Sequence, residues 1–149
     1  MYHGRVTQID ATKLLPGLYQ GSAPESVTAV RAAGFDLLVL CAIELQLTSQ
    51  QLRGMPYVRC PLVDNNQLSE RQWIRACRAA TQVAGAVRAG AKVLVTCAEG
   101  RNRSGLVCAI AICRTLDAPG KVVVRHIRSR RANALTNPAF VRALEHHFR

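Results

Sequence analysis

The stretch Lys92–Gly105, KVLVTCAEGRNRSG, brings a thiol, a guanidinium and a hydroxyl close together: Cys97, then Arg103 six positions on, then Ser104. A cysteine attacks as its thiolate, a form favoured by nearby cations and backbone N–H groups. Arginine presents a planar fork that takes two phosphoryl oxygens at once, which a lysine ammonium cannot do. Ser104 can donate a hydrogen bond to the sulfur. These residue types at this spacing suit attack of a thiolate on phosphorus, with the guanidinium gathering the phosphoryl oxygens.

The three side chains converge only if the chain curls between them. Val93, Leu94, Val95 and Thr96 suit a buried strand, a short loop with Gly100 follows, and Leu106, Val107, Ala109, Ile110 and Ile112 read as a helix. A loop entering a helix N-terminus presents unpaired N–H groups backed by the helix dipole, which makes an anion site. Ala98, Glu99, Gly100, Arg101, Asn102 and Arg103 would supply its backbone, with Gly100 suited to a turn at positive φ.

At these residues the chain resembles the cysteine-dependent protein tyrosine phosphatase superfamily, whose signature is Cys, five residues, Arg, then Ser or Thr. Within it the small dual-specificity phosphatases are the most similar. The match comprises Cys97, Gly100, Arg103, Ser104 and Gly105, between a hydrophobic strand and a helix. The opening LYQGSAPES, with FDLLVLCA after it, resembles the N-terminal part of the same family, and IRSRRANALTNPAFVRAL resembles its closing helices. The resemblance implies an α/β fold with a central, mostly parallel sheet flanked by helices, as one catalytic domain over residues 1–149. It implies a phosphatase for protein tyrosine, serine and threonine esters, working through a cysteinyl phosphate without metal or cofactor.

Cleaving a phosphate ester also takes an acid for the leaving oxygen, and then a base for the water that clears the phosphoenzyme. Asp64 lies 33 residues before Cys97, at the end of the strand that precedes the long helix leading back to the cysteine strand. That topology puts both loops on one edge of the sheet. Asp-Asn-Asn also suits a plain turn. In dual-specificity phosphatases the general-acid aspartate occupies this place, so the resemblance carries that role to Asp64. Asp36, starting a strand, and Asp117, following a helix, are poorer candidates. Two positions depart from the family pattern. Thr96 stands where a histidine usually braces the loop, with a hydroxyl able to donate one bond into it, and Glu99 sets a negative charge beside the anion site unless it pairs with an arginine. A basic residue at the place of Arg101 occurs in inositol-lipid phosphatases of the superfamily, and an asparagine at that of Asn102 in its RNA triphosphatases.

The chain is long enough for one domain with its own core. Twenty Lys and Arg stand against nine Asp and Glu, a formal charge of +11, which draws polyanions toward the surface. Phosphorylated protein is the expected partner, ahead of nucleic acid, for a molecule acting as a monomer. Cys41, Cys60, Cys77, Cys108 and Cys113 fall in apolar or periodic stretches without metal-ligand spacing, so they read as core residues of a reducing compartment. MYHGRVTQID has no apolar leader and no run reaches membrane-spanning length, which leads to the expectation of a cytoplasmic protein.

Along the chain, a strand passes through Leu18 and Tyr19, Pro24 opens a short helix closed by Gly34, and Phe35–Ala42 is a strand buried on both faces. Thr48 with Gln51, and Ser69 with Gln72, read as capping boxes, the second heading a helix that runs to Gly90. Tyr57–Pro61 supplies a further strand. Pro119 and Asn137-Pro138 open the last two helices. Arg125, Arg128, Arg130 and Arg131 read as a solvated basic face, and His126, His146 and His147 as structural or exposed. Other readings of the same residues are a phosphatase of RNA 5′ ends or inositol lipids, a phosphate-binding module without turnover, and a rhodanese-type sulfur transferase, whose loop is shorter and lacks the Arg-Ser-Gly helix start.

Overall fold

The structure, a computed structural model, describes residues 8–149; residues 1–7, which open the MYHGRVTQID stretch, lie outside the described residues. Five strands form one sheet: β1 (Thr12–Leu15), β2 (Leu18–Ser22), β3 (Leu37–Ala42), β4 (Tyr57–Leu62) and β5 (Val93–Cys97), in the order β1-β2-β5-β3-β4. All neighbours are parallel except the β1–β2 hairpin. The helices are α1 (Val27–Ala32), α2 (Ser49–Leu52), α3 (Glu70–Arg88), α4 (Arg103–Leu116), α5 (Gly120–Arg130) and α6 (Pro138–His147).

Alternation along the strands divides the core in two. Leu38, Leu40 and Leu94 face α1 and α2, packing with Val27, Val30, Leu52 and Met55. Val39, Cys41, Val93, Val95 and Cys97 face the larger layer of α3 to α6. A strand covered on both faces has little room for polar residues, which is why β3 and β5 are near-continuous apolar runs. Helix α4 is apolar all round for the same reason, and every residue from Arg103 to Cys113 is buried between the sheet, α3, α5 and α6. Because β2, β5, β3 and β4 are parallel, the segments after each leave the same edge of the sheet. Cys97 and the segment that contains Asp64 therefore meet there, where α/β sheets hold their ligands.

Several local expectations change. Edge strand β1 was not visible in the sequence, where TKLL carries no clear alternation. Helix α1 begins at Val27 with Ser26 as its N-cap, so Pro24 lies before it, and Pro119 is the N-cap of α5 and not its first helical residue. The Thr48–Gln51 box is complete. The second is half formed: Ser69 accepts from Gln72 N, but the Gln72 side chain accepts instead from Val63 N, at 3.1 Å, and so ties the end of β4 to α3.

One close approach at this edge admits only glycine. A Cβ on Gly21 would stand 1.8 Å from the Asp10 carbonyl oxygen, and one on Gly100 would stand 2.5 Å from the Gly21 backbone. Gly21→Ala should lower unfolding free energy by at least about 2 kcal/mol through overpacking against backbone that cannot yield. A urea midpoint within error of wild type would contradict that packing.

Candidate active site

Cys97 ends β5 and Arg103 begins α4, and the five residues between them form a tight curl. Its carbonyl groups are held from outside. Ala98 O accepts from Ala23 N, Glu99 O from Arg131, Gly100 O from both Gln20 and Arg131, and Arg101 O from Leu135 N and Gln20. Peptide planarity in trans sets each N–H opposite the carbonyl before it. The N–H groups of Glu99, Gly100, Arg101 and Asn102 therefore turn to the concave side, where that of Arg103 opens the α4 dipole. Gly100 takes the expected positive φ, 69°. Such a nest of amides is built for an anion.

At the floor of the curl Cys97 is 4% exposed, and its Sγ lies 3.2 Å from the Oγ of fully buried Ser104. Thr96 does not brace the curl. Its hydroxyl donates to Val39 O across the strand pair at 2.8 Å, a correction to the bond expected from it.

Arg103 is anchored end-on. Its Nη1 and Nη2 donate to the two carboxylate oxygens of Glu44, at 2.5 and 2.9 Å, and Nη1 also donates to Leu62 O. The bidentate guanidinium, and then its own backbone N–H, hold the Glu44 carboxyl well below its ordinary value, at about 2. That anchorage leaves the side edge of the guanidinium, Nε–H with one Nη2–H, and Nε is buried without a partner among the described residues. Glu44 sits in a 3-10 turn, Ile43–Leu45, at the end of β3. It was not singled out in the sequence, and a lone acid in the apolar run LCAIEL was its only signal.

Asp64 is brought to the same edge. Its Oδ2 accepts from Asn102 Nδ2 at 3.0 Å and its Oδ1 from Asn137 Nδ2 at 2.8 Å. Asn102 Oδ1 accepts from Asn137 N, and Asn137 Oδ1 caps α6 through Ala139 N. The two amides thus join the Asp64 segment, the N-cap of α4 and the start of α6. In sequence Asn137 showed only its capping role. Asp36 instead accepts from Lys92 N, at the far edge, and Asp117 is the left-handed C-cap of α4.

Two arginines of the basic cluster make bonds back to the protein, Arg128 while still exposed and Arg131 half-buried, the latter a departure from the expected solvated face. Arg128 donates to Leu135 O. Arg131 reaches the outside of the curl, donating to Gly100 O at 2.7 Å and to Glu99 O at 3.2 Å while its fork pairs with both oxygens of Asp10. Hydrogen bonding from Arg131 is the largest cause of the depressed Asp10 carboxyl, at about 2. Glu99 pairs outward with Arg101, 3.2 Å away. Beside the sulfur a cleft of about 250 Å³ is lined by Ala23, Pro24, Ala42, Leu45 and Leu47, with Glu44 as its charged member. Burial pushes the Cys41, Cys108 and Cys113 thiols up, the last to about 11, in keeping with core roles.

Residues 18–149 match the family described as the dual specificity phosphatase catalytic domain. Human dual specificity phosphatase 28 is 27% identical over 128 residues, covering 86% of this chain and 72% of that protein. Its crystal structure superposes with a TM-score of 0.79 at 26% identity, covering 95% of each chain. A mouse putative dual specificity phosphatase crystallised with zinc tungstate gives the same TM-score at 23% identity, over 99% of this chain and 92% of that one, a likeness of fold. With the family matched from β2 through α6, the chain belongs to the dual specificity phosphatase catalytic domains and is a cysteine-dependent phosphatase of protein tyrosine, serine and threonine phosphates.

Proposed function

We propose that Cys97 is the nucleophile, Arg103 and the curl amides the phosphate cradle, Asp64 the general acid and base, and Ser104 the donor to the sulfur. The observation that carries this reading is the free side edge of Arg103, a two-pronged donor beside the buried sulfur. The Cys97 thiolate attacks phosphorus in line and an S–P bond forms as the ester P–O bond breaks. Asp64 gives its proton to the departing oxygen. Water then attacks the cysteinyl phosphate, Asp64 takes a proton from it, and the S–P bond breaks to return the thiolate, which accepts from Ser104. Stabilisation of the equatorial oxygens by Arg103 and the N–H groups of Glu99 to Arg103 supplies most of the acceleration. Glu44 positions Arg103, and the aliphatic cleft of Pro24, Leu45 and Leu47 takes the carbon skeleton that bears the phosphate. That the thiols are unpaired and most of them buried supports work in the reducing cytosol.

Cys97→Ser should abolish turnover of a phosphotyrosine peptide in chelator and reductant. Asp64→Asn should lower kcat about 10²- to 10⁴-fold while a burst or product inhibition still reports phosphate binding. Turnover by Cys97→Ser would overturn the assignment of the nucleophile.

Glu44→Gln should lower kcat/KM about tenfold or more by releasing one end of the Arg103 fork. A depressed carboxyl stabilises the fold above its unfolded value and loses that contribution as the pH falls through the folded one. The Glu44 share is therefore present above about pH 4.5 and lost toward pH 2. Thermal melts of Glu44→Gln should show a flatter acid limb than wild type in that window.

A further inference from the structure

Gln20 lies in β2 opposite Val95, with its side chain fully buried beneath the Cys97 curl. A primary amide there must be desolvated, which an aliphatic side chain of similar size would avoid. Its Nε2 lies 3.0 Å from Gly100 O, 3.3 Å from Arg101 O and 3.1 Å from Ser104 Oγ. The two carbonyls decide which end of the amide faces the curl, because rotating it would set Oε1 against two acceptors. Oε1 is accordingly left without a partner among the described residues. An amide that orphans its oxygen while its nitrogen meets three acceptors is held there for its donors.

The direction of the next bond follows. Nε2 can only donate: with one of its two protons shared between the Gly100 and Arg101 carbonyls and the other given to Ser104 Oγ, the single Ser104 proton is left for the other neighbour, Cys97 Sγ, 3.2 Å away. We propose that Gln20 is a positioning residue for the phosphatase reaction, orienting the Ser104 hydroxyl to donate to the Cys97 sulfur while holding the Gly100 and Arg101 carbonyls outward. The sulfur is then stabilised both as attacking and as departing thiolate. Brace and donor both come from the α4 side of the sheet, opposite the face on which Thr96 spends its hydroxyl on Val39 O.

The inference rests on Cys97 being the nucleophile, and its test reads the thiol directly. The other ionisable groups near this sulfur, Arg103, Arg131, Cys41 and Cys108, are not themselves substituted when Gln20 is changed. Alkylation of Cys97 by iodoacetamide, located by peptide mass spectrometry, is followed against pH for wild type, Gln20→Met, Ser104→Ala and the double variant. Gln20→Met should slow alkylation at pH 6.5 about fivefold, the worth of one directed hydrogen bond, and move the profile to higher pH. In the Ser104→Ala background it should add nothing. Gln20→Leu, run in parallel with melting curves, guards against a misfit peculiar to methionine. An unmoved profile, or equal slowing in both backgrounds, overturns the relay. Alkylation of Cys97 that leaves wild-type turnover intact overturns instead the assignment of the nucleophile.

Discussion

The site depends on the outward pull on four carbonyl groups. The carbonyl groups of the five residues between Cys97 and Arg103 would otherwise have no reason to point one way, since a short loop gains as much from water as from a curl. Ala23 N, Gln20, Arg131 and Leu135 N occupy the carbonyls of Ala98, Glu99, Gly100 and Arg101. Planar peptides do the rest, turning the N–H groups to the concave side before any phosphate arrives. Catalysis by stabilising developing charge works best when donors need no reorganisation, and here the reorganisation is done during folding.

Electrostatics around the curl follow the same plan. Although the chain carries a formal charge of +11, the three ion pairs among the described residues all involve this region: Arg103 with Glu44, Arg101 with Glu99, and Arg131 with Asp10. In an overwhelmingly basic protein, unpaired arginines are common and add only a diffuse, salt-screened field. A carboxylate placed end-on against a guanidinium does something different, fixing the fork's direction as well as moderating its charge. Arg103 keeps its side edge free because Glu44 has taken the end. Glu99, which by position threatened phosphate binding, is turned outward by Arg101.

What could be read from the sequence was whatever lies close together along the chain. Cys97, Arg103 and Ser104 form a local pattern, and the strand and helix that carry them show in hydropathy alone, as do the Asn137 cap and the Thr48–Gln51 box. Asp64 could be placed at the right edge because the loops that follow parallel strands leave the same edge of the sheet. The residues that aim these groups are far away in sequence and of types with many ordinary uses. Gln20 acts on residues 80 and more positions on, Glu44 reaches Arg103 across 59, and Arg131 sits in a helix end that reads as solvated. Nothing periodic marks such contacts. Gln20 and Glu44 leave only faint traces, a lone amide in LYQGS and a lone acid in LCAIEL.

Thr96 shows how such distant contacts can move. The residue before Cys97 faces the α1–α2 layer, away from Ser104, since neighbours on a strand point to opposite sides. A long ring there could reach around to the curl, but a threonine hydroxyl reaches only the next strand, and it bonds Val39 O. The curl is then braced from the face that carries Gln20 and from the flank that carries Arg131. Loop rigidity in this chain is therefore a property of β2, the end of α5 and the backbone at Ala23 and Leu135, and substitutions at Gln20 or Arg131 should disturb the curl around Cys97 more than substitutions at Thr96 itself.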